Sequence, residues 1–440
     1  MNASMLRARF AAIRPRECFI LLAGLAFVMV TLLAGPLRMY LSLAGLAPLV
    51  YVPNLLMAIA VGWQLLAEPR ETGFSAMRLV ALLIPLYAAT IGLQFIPPVQ
   101  VAMGLYVLLP FGFGIACGPV FEQHWARVAR FVPWLWLVAV TGVLLNLRVE
   151  YPWEGFGYDL GSLEVEGSRQ WYADGGVKRL AGFARASFDA AVQVLLIGVL
   201  FALGTRRTLL RAVLWGATIA AILPTNSKGV LLAAVVLGPI VLAGRVLPPT
   251  LLRALPAVFG GFALALPIST LLFMFDAPLR DPVLANAAYS FFDRLNDMWP
   301  KAWALLYDNG FFLLGRGVGG IGTAQTYFEP TLFNAGDNLF MYWFVVFGWV
   351  VLPGFVFLLL RSIRIRPDGD PAQLRVYCLL LATLVYGSIT NIVENAFSAL
   401  ICGMVVRYLA ATPAAQPSAR LLPTLDARPH DRRTRGASYG

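Results

Sequence analysis

Residues 188–204 read FDAAVQVLLIGVLFALG and are followed at once by Thr205-Arg206-Arg207. An apolar run of this length matches the hydrocarbon core of a bilayer, and arginines at its end mark the side retained in the cytoplasm. Working outward, similar runs recur near 18–34, 45–67, 79–96, 99–119, 132–148, 212–225, 229–244, 254–275, 338–360, 376–390 and 395–411. The composition agrees: 59% of the residues are hydrophobic and the mean hydropathy is +0.73, too much apolar surface for a water-soluble core. The expected fold class is an all-α polytopic membrane protein with about 12 transmembrane helices and two large loops. The pair at 212–225 and 229–244 is short and meets at Pro224–Gly229, so two spans and a broken re-entrant pair are both open.

Arginines set the orientation. Arg7, Arg9, Arg14 and Arg16 precede the first span. Counting spans in pairs places Arg70, Arg78, Arg127, Arg130, Arg206, Arg207, Arg211, Arg245, Arg253, Arg361, Arg364 and Arg366 on that same side, with Arg432, Arg433 and Arg435. The expected organisation is a cytoplasmic N-terminus (1–17), helices (18–147), an outward loop (148–187), central helices (188–275), a second outward loop (276–337), helices (338–411) and a disordered basic cytoplasmic tail (412–440). The net charge of +11 then reflects this bias and attraction to membrane lipids, and calls for no nucleic acid. Cys18, Cys117, Cys378 and Cys402 fall within spans, which leaves neither loop a disulfide. The run from Cys18 mimics a signal peptide before Leu33-Ala34-Gly35; the spans that follow favour an uncleaved first helix.

The first loop opens with Tyr151, Trp153, Phe156 and Tyr158, interspersed with Glu154 and Asp159. Such aromatics form either an interfacial belt or a platform for sugar rings. Lys178, Arg179 and Arg185 close the loop, and cations on the outer surface ask for an anion such as phosphate, unless Glu164, Glu166 and Asp174 balance them. In the second loop, 287–308 reads as a helix with Phe292, Leu295, Trp299, Trp303 and Leu306 on one face, kinked or restarted at Pro300. It is expected to lie in the interface with its aromatic face in lipid and to present Arg294 at the membrane plane. Residues 310–322, GFFLLGRGVGGIG, surround Arg316 with glycines that allow close approach to a ligand. Their likeness to a dinucleotide fingerprint fails for want of a βαβ unit. Asp337-Asn338 stands at the mouth of the next span, with Asp337 either a helix cap or a proton acceptor. Among the spans, Asp189, Lys228 and Glu394 are ionisable groups in an expensive place. Lys228 either salt-bridges Asp189 or Glu394 or joins the arginines around a diphosphate, and Glu394 with Asn391 and Asn395 also reads as a structural polar cluster.

These residues resemble the superfamily of bacterial O-antigen ligases and Wzy-type polysaccharide polymerases. Arg179-Leu-Ala-Gly182 looks like its Arg-x-x-Gly element, and Thr225-Asn-Ser-Lys228 is similar to its Thr-x-Ser-Arg/Lys element. Arg294, Trp299 and Trp303 followed by Gly315–Gly319 look like its late loop. The His-Asn-x-x-Leu element reads Asp337-Asn338-Leu339-Phe340 here, without histidine. The only histidines, His124 and His430, lie in segments expected to be cytoplasmic. The resemblance spans about residues 130–360 and is closest to polymerases of xanthan-type exopolysaccharides. It implies a GT-C-like architecture in the bacterial inner membrane, with its active site facing the periplasm. It implies metal-independent glycosyl transfer between undecaprenyl-diphosphate-linked oligosaccharides without a cofactor, alongside a flippase and a chain-length regulator. Arg179, Arg294 and Asp337 are then the catalytic candidates, with Asp293, Asp297 and Glu329 as other carboxylates for a base. Lys178, Arg185, Lys228, Arg316, Asn338, Trp153, Trp299, Trp303 and Glu394 are the substrate-binding candidates. An O-antigen ligase acting on lipid A core and a 12-span transporter are the alternatives; transporters place ionisable groups at mid-membrane and show internal pseudo-symmetry.

Overall fold

The structure is a computed structural model that describes residues 13–66, 76–160, 163–173, 176–243, 247–275, 282–365, 367 and 370–411. The expectations for Arg7, Arg9, Arg70, Asp174, Arg245, Arg366 and the 412–440 tail lie outside the described residues. The chain is a mostly helical membrane protein. Among the described residues seven helices are long and apolar enough to cross a bilayer: Pro15–Leu32, Ala47–Leu66, Pro98–Gln123, Ser187–Gly204, Thr208–Thr225, Pro249–Ser269 and Leu339–Ser362. Shorter apolar helices, Leu82–Gly92, Val132–Asn146, Lys228–Ala243 and Ala396–Ala410, accompany them.

The Ser187–Gly204 helix is the hub. It is apolar on every side, which suits a helix surrounded by others, and Ala191, Val194, Leu195 and Val199 are fully buried. Helices Val132–Asn146, Thr208–Ile222, Lys228–Ala243, Pro371–Gly387 and Ala396–Ala410 all pack on it. Elsewhere small residues let backbones meet: Gly114 of Pro98–Gln123 lies against Gly403 of Ala396–Ala410.

Between 208 and 243 the chain makes a tight helical hairpin. A 3-10 turn at Leu223–Thr225 leads to Asn226, the one non-glycine residue with positive φ (51°) among the described residues. Asparagine tolerates that conformation better than other side chains.

Three expectations need correction. Against the all-α expectation, the 148–187 loop carries two small antiparallel sheets, Gly157–Leu160 with Leu163–Glu166 and Trp171–Tyr172 with Lys178–Arg179. Alternation explains the first: Tyr158 faces Val165, both buried, while Glu164 and Glu166 stay exposed. In the second loop, helix Pro282–Asp293 opens into a π turn at Arg294–Met298 before helix Trp299–Asn309 begins. Pro300 has no N–H for the preceding turn, and the helix widens there. Its aromatic face is buried in protein rather than presented to lipid: Trp299 is 0% and Trp303 4% exposed. The glycine-rich stretch, finally, packs backbone on backbone. Val318 N–H donates to the Ala88 carbonyl at 3.0 Å, and a Cβ at Gly317 (φ 79°) would collide with Gly92.

Candidate functional site

The two long loops, the start of the Ser187–Gly204 helix, the turn before Lys228 and the 388–395 connection enclose a cavity of about 930 Å³. Its charged lining among the described residues is Arg38, Arg169, Arg179, Arg185, Lys228 and Arg294 against Glu166, Asp189, Asp337 and Glu394. The cations outnumber the carboxylates in this lining, an excess that suits an anion.

Arg179 is held by its segment. Strand Lys178–Arg179 pairs with Trp171–Tyr172, and Leu180 N–H donates to the Pro224 carbonyl at 3.1 Å, tying Arg179 to the turn before Lys228. Gly182 (φ 59°) donates its N–H to Asn146 Oδ1 at 3.1 Å and accepts from Trp153 Nε1 at 3.1 Å. A Cβ at Gly182 would lie 2.8 Å from the Gly142–Val143 backbone, which accounts for the glycine. Trp153 therefore braces the loop, stacked on Tyr151 at 4.4 Å and buried, instead of offering a sugar platform. The aromatics that do face the cavity include Trp171, Phe188, Tyr289 and Phe291.

Arg294 reaches the cavity from the π turn. Its Nη2 donates to Asp337 Oδ2 at 2.7 Å, and Trp299 Nε1 donates to the Asp337 carbonyl at 3.2 Å. The cap of the next helix is Asn338, not Asp337: Asn338 Oδ1 accepts from Met341 N–H at 2.9 Å, and its amide donates to the Ser388 carbonyl at 2.8 Å. Asp337 is thereby free of capping and committed to Arg294. The Nε–H groups of both Arg179 and Arg294 are buried without a hydrogen-bond partner. Buried donors are almost always satisfied in native proteins, and both arginines line the cavity.

Glu394 faces the same space from the connection before helix Ala396–Ala410. Its carboxylate accepts from the Thr323 N–H at 2.8 Å, the Thr323 hydroxyl at 2.9 Å and the Tyr342 hydroxyl at 3.1 Å. Burial pushes its pKa up to about 7; the three donors pull it down, and the Asp337 charge adds to the rise. Asp189, at the start of the hub helix, accepts from the Asn395 amide. Lys228 lines the cavity together with both acids.

Several expected residues lie elsewhere. Arg316 is 1% exposed and spends its donors on the Asn309 carbonyl (2.9 Å), the Gly320 carbonyl and Glu329 (2.7 Å), so it fixes the glycine-rich stretch and is not on the cavity. Glu329 is occupied by Arg316 and by the Gln100 amide at 2.7 Å. Lys178 pairs with Glu154 and with Glu150 at 3.2 Å, outside the lining. Asp297 pairs with Lys301 at 2.8 Å on the exposed side, and Asp293 is likewise not among the lining residues. Trp303 donates to the Pro267 carbonyl at 3.0 Å and belongs to the core with Trp299. Arg38 and Arg169 were missed. Arg38 sits in the expected short outward connection after the first span, where an arginine runs against the usual charge bias; that was its signal.

Among the described residues no group of three or more His, Cys, Asp or Glu is arranged to hold a metal ion. Comparison of the chain with protein-family models, curated proteins and solved structures finds no match in any of the three, which leaves the cavity's own geometry to carry the functional reading.

Proposed function

We propose that this chain is a membrane glycosyltransferase that polymerises undecaprenyl-diphosphate-linked oligosaccharide repeat units into an exopolysaccharide. It works at the periplasmic face of the bacterial inner membrane and releases undecaprenyl diphosphate. The observation that carries the reading is the pair of unsatisfied, buried guanidinium donors on Arg179 and Arg294, lining one cavity with Lys228. Guanidinium groups suit phosphate oxygens better than any other side chain. The order of the Arg179–Gly182, Thr225–Lys228 and Arg294–Asn338 elements along the chain supports the same class.

In the reaction a hydroxyl oxygen of one saccharide attacks the anomeric carbon of another. The carbon–oxygen bond to phosphate breaks, and the diphosphate departs with the electron pair. Charge collects on that leaving group, and Arg179, Arg294 and Lys228 stabilise it where it develops. Both substrates are tethered to one membrane, and that supplies much of the orientation. Glu394, poised near neutrality, takes the hydroxyl proton. Asp337 holds Arg294 in position; it stands where the similar family has histidine, and here its carboxylate serves the arginine.

Purified protein in detergent, given lipid-linked repeat units, is expected to form longer glycan and free undecaprenyl diphosphate. Arg179→Gln and Arg294→Gln each lower the rate by about 100-fold or more at unchanged protein yield. Detergent offers no second compartment, so a carrier would form no product, whereas near-normal rates in both variants would remove the arginines from the reaction. In cells, deletion leaves single lipid-linked repeat units, while loss of a ligase would leave lipid-linked polymer.

A further inference from the structure

Two polar side chains of the hub helix, Asp189 and Gln193, line the cavity and have no part in the reaction as described. Four residues apart, they share one helix face with Cβ atoms about 5–6 Å from each other. Partners of fixed polarity decide which atom each side chain has to spare. The Thr31 carbonyl can only accept, so Gln193 Nε2 donates to it at 3.1 Å and Oε1 is the end left over. That oxygen is buried and has no hydrogen-bond partner, in a residue only 3% exposed. Asn395 is oriented in the same way. Its Oδ1 accepts from the Ser398 N–H at 3.1 Å, which leaves its amide to donate to Asp189 Oδ1. Among the described residues Asp189 Oδ2 makes no hydrogen bond.

Two spare acceptors one helical turn apart suit a ligand that brings two hydrogen donors. The charges of Arg185, Arg169 and Arg38 already reach Asp189, so its carboxylate is compensated without an added cation. Neutral donors are then the better match, and the hydroxyl groups of a sugar ring are such donors. Asn395 follows Glu394 in the chain, so its bond to Asp189 ties the hub helix to the connection that carries the proposed base. The saccharide that gives up a proton there is the attacking one, and the departing diphosphate of the other lies with Arg179 and Arg294.

We propose that Asp189 and Gln193 form the acceptor subsite, in which Asp189 Oδ2 and Gln193 Oε1 each take a hydrogen from a hydroxyl group of the attacking sugar while another hydroxyl of that sugar reacts. The proposal rests on this cavity being the place of glycosyl transfer. It makes the hub helix the element that presents the acceptor to Glu394.

The test measures binding to the full-length protein in detergent with two probes: the repeat-unit oligosaccharide released from its lipid by mild acid, and farnesyl diphosphate. Gln193→Leu removes the acceptor without changing any charge. It is expected to weaken the oligosaccharide about fivefold or more, the loss of one neutral hydrogen bond, and to leave farnesyl diphosphate affinity unchanged. Asp189→Asn puts a donor where the spare carboxylate oxygen was and is expected to weaken the oligosaccharide about tenfold or more. Thermal midpoints near that of wild type show that each variant is folded; if Gln193→Leu fails this check, Asp189→Asn decides alone. Oligosaccharide affinity equal to wild type in the folded variants would overturn the proposal. So would a wild type that binds farnesyl diphosphate and no oligosaccharide. Oligosaccharide binding that both variants weaken, without any binding of farnesyl diphosphate, would support the subsite and sink the diphosphate reading alone.

Discussion

At Glu394 burial opposes three hydrogen bonds, and burial wins by enough to bring the carboxyl to about 7. A base works only when deprotonated, so the rate of chain growth should fall as pH drops through about 7 and level off above it. Glu394→Gln should remove that limb and lower the rate by roughly 100-fold or more; a retained pH profile in this variant would assign the proton to another group. Asp337 gives a sharper discrimination. Its charge raises the Glu394 pKa while its Oδ2 holds Arg294 at 2.7 Å. Asp337→Asn should therefore lower the rate about tenfold and move the midpoint of the pH profile to lower pH. An unmoved midpoint with near-normal rate would separate Asp337 from both neighbours.

The elements differ in how far their residues announced them. Apolar runs of bilayer length located the helices because burial in lipid and burial in protein ask for the same side chains. That shared chemistry also misled: the face of Phe292, Trp299 and Trp303 was legible as buried, but periodicity does not distinguish lipid from protein, and the structure puts Trp299 and Trp303 in protein. The Gly157–Glu166 hairpin escaped notice because a four-residue strand has too few alternations to stand out. Glycines were read as ligand-facing when most serve helix contacts. At Gly182 the contact can be tested: a side chain there meets both the positive φ and the Gly142–Val143 backbone, whereas Gly45 (φ 72°) has nothing near its Cβ. Gly45→Ala should cost about 1–2 kcal/mol for the left-handed backbone alone. Gly182→Ala should lower the thermal midpoint further and weaken chain growth by displacing Arg179. Equal midpoints for the two variants would discount the packing.

In the whole molecule, residues more than a hundred positions apart converge on a single cavity. Arg179, Arg294, Lys228 and Glu394 were named from local features, and the fold gathers them; Arg38 joins from the connection after the first span, where its charge alone set it apart. The proposed orientation predicts an accessible outward loop. In a Cys18→Ser background, Tyr172→Cys, on the exposed Trp171–Tyr172 strand, should react in intact cells with a membrane-impermeant maleimide, and Arg207→Cys should not. The reverse pattern would place the cavity on the cytoplasmic side. The central claim is that Arg179 and Arg294 grip the departing lipid diphosphate. A cryo-electron microscopy map of the protein in nanodiscs with a lipid-linked repeat unit tests it most directly. Diphosphate density within hydrogen-bonding reach of both guanidinium groups is the predicted result; density bound elsewhere, with both arginines untouched, would contradict it.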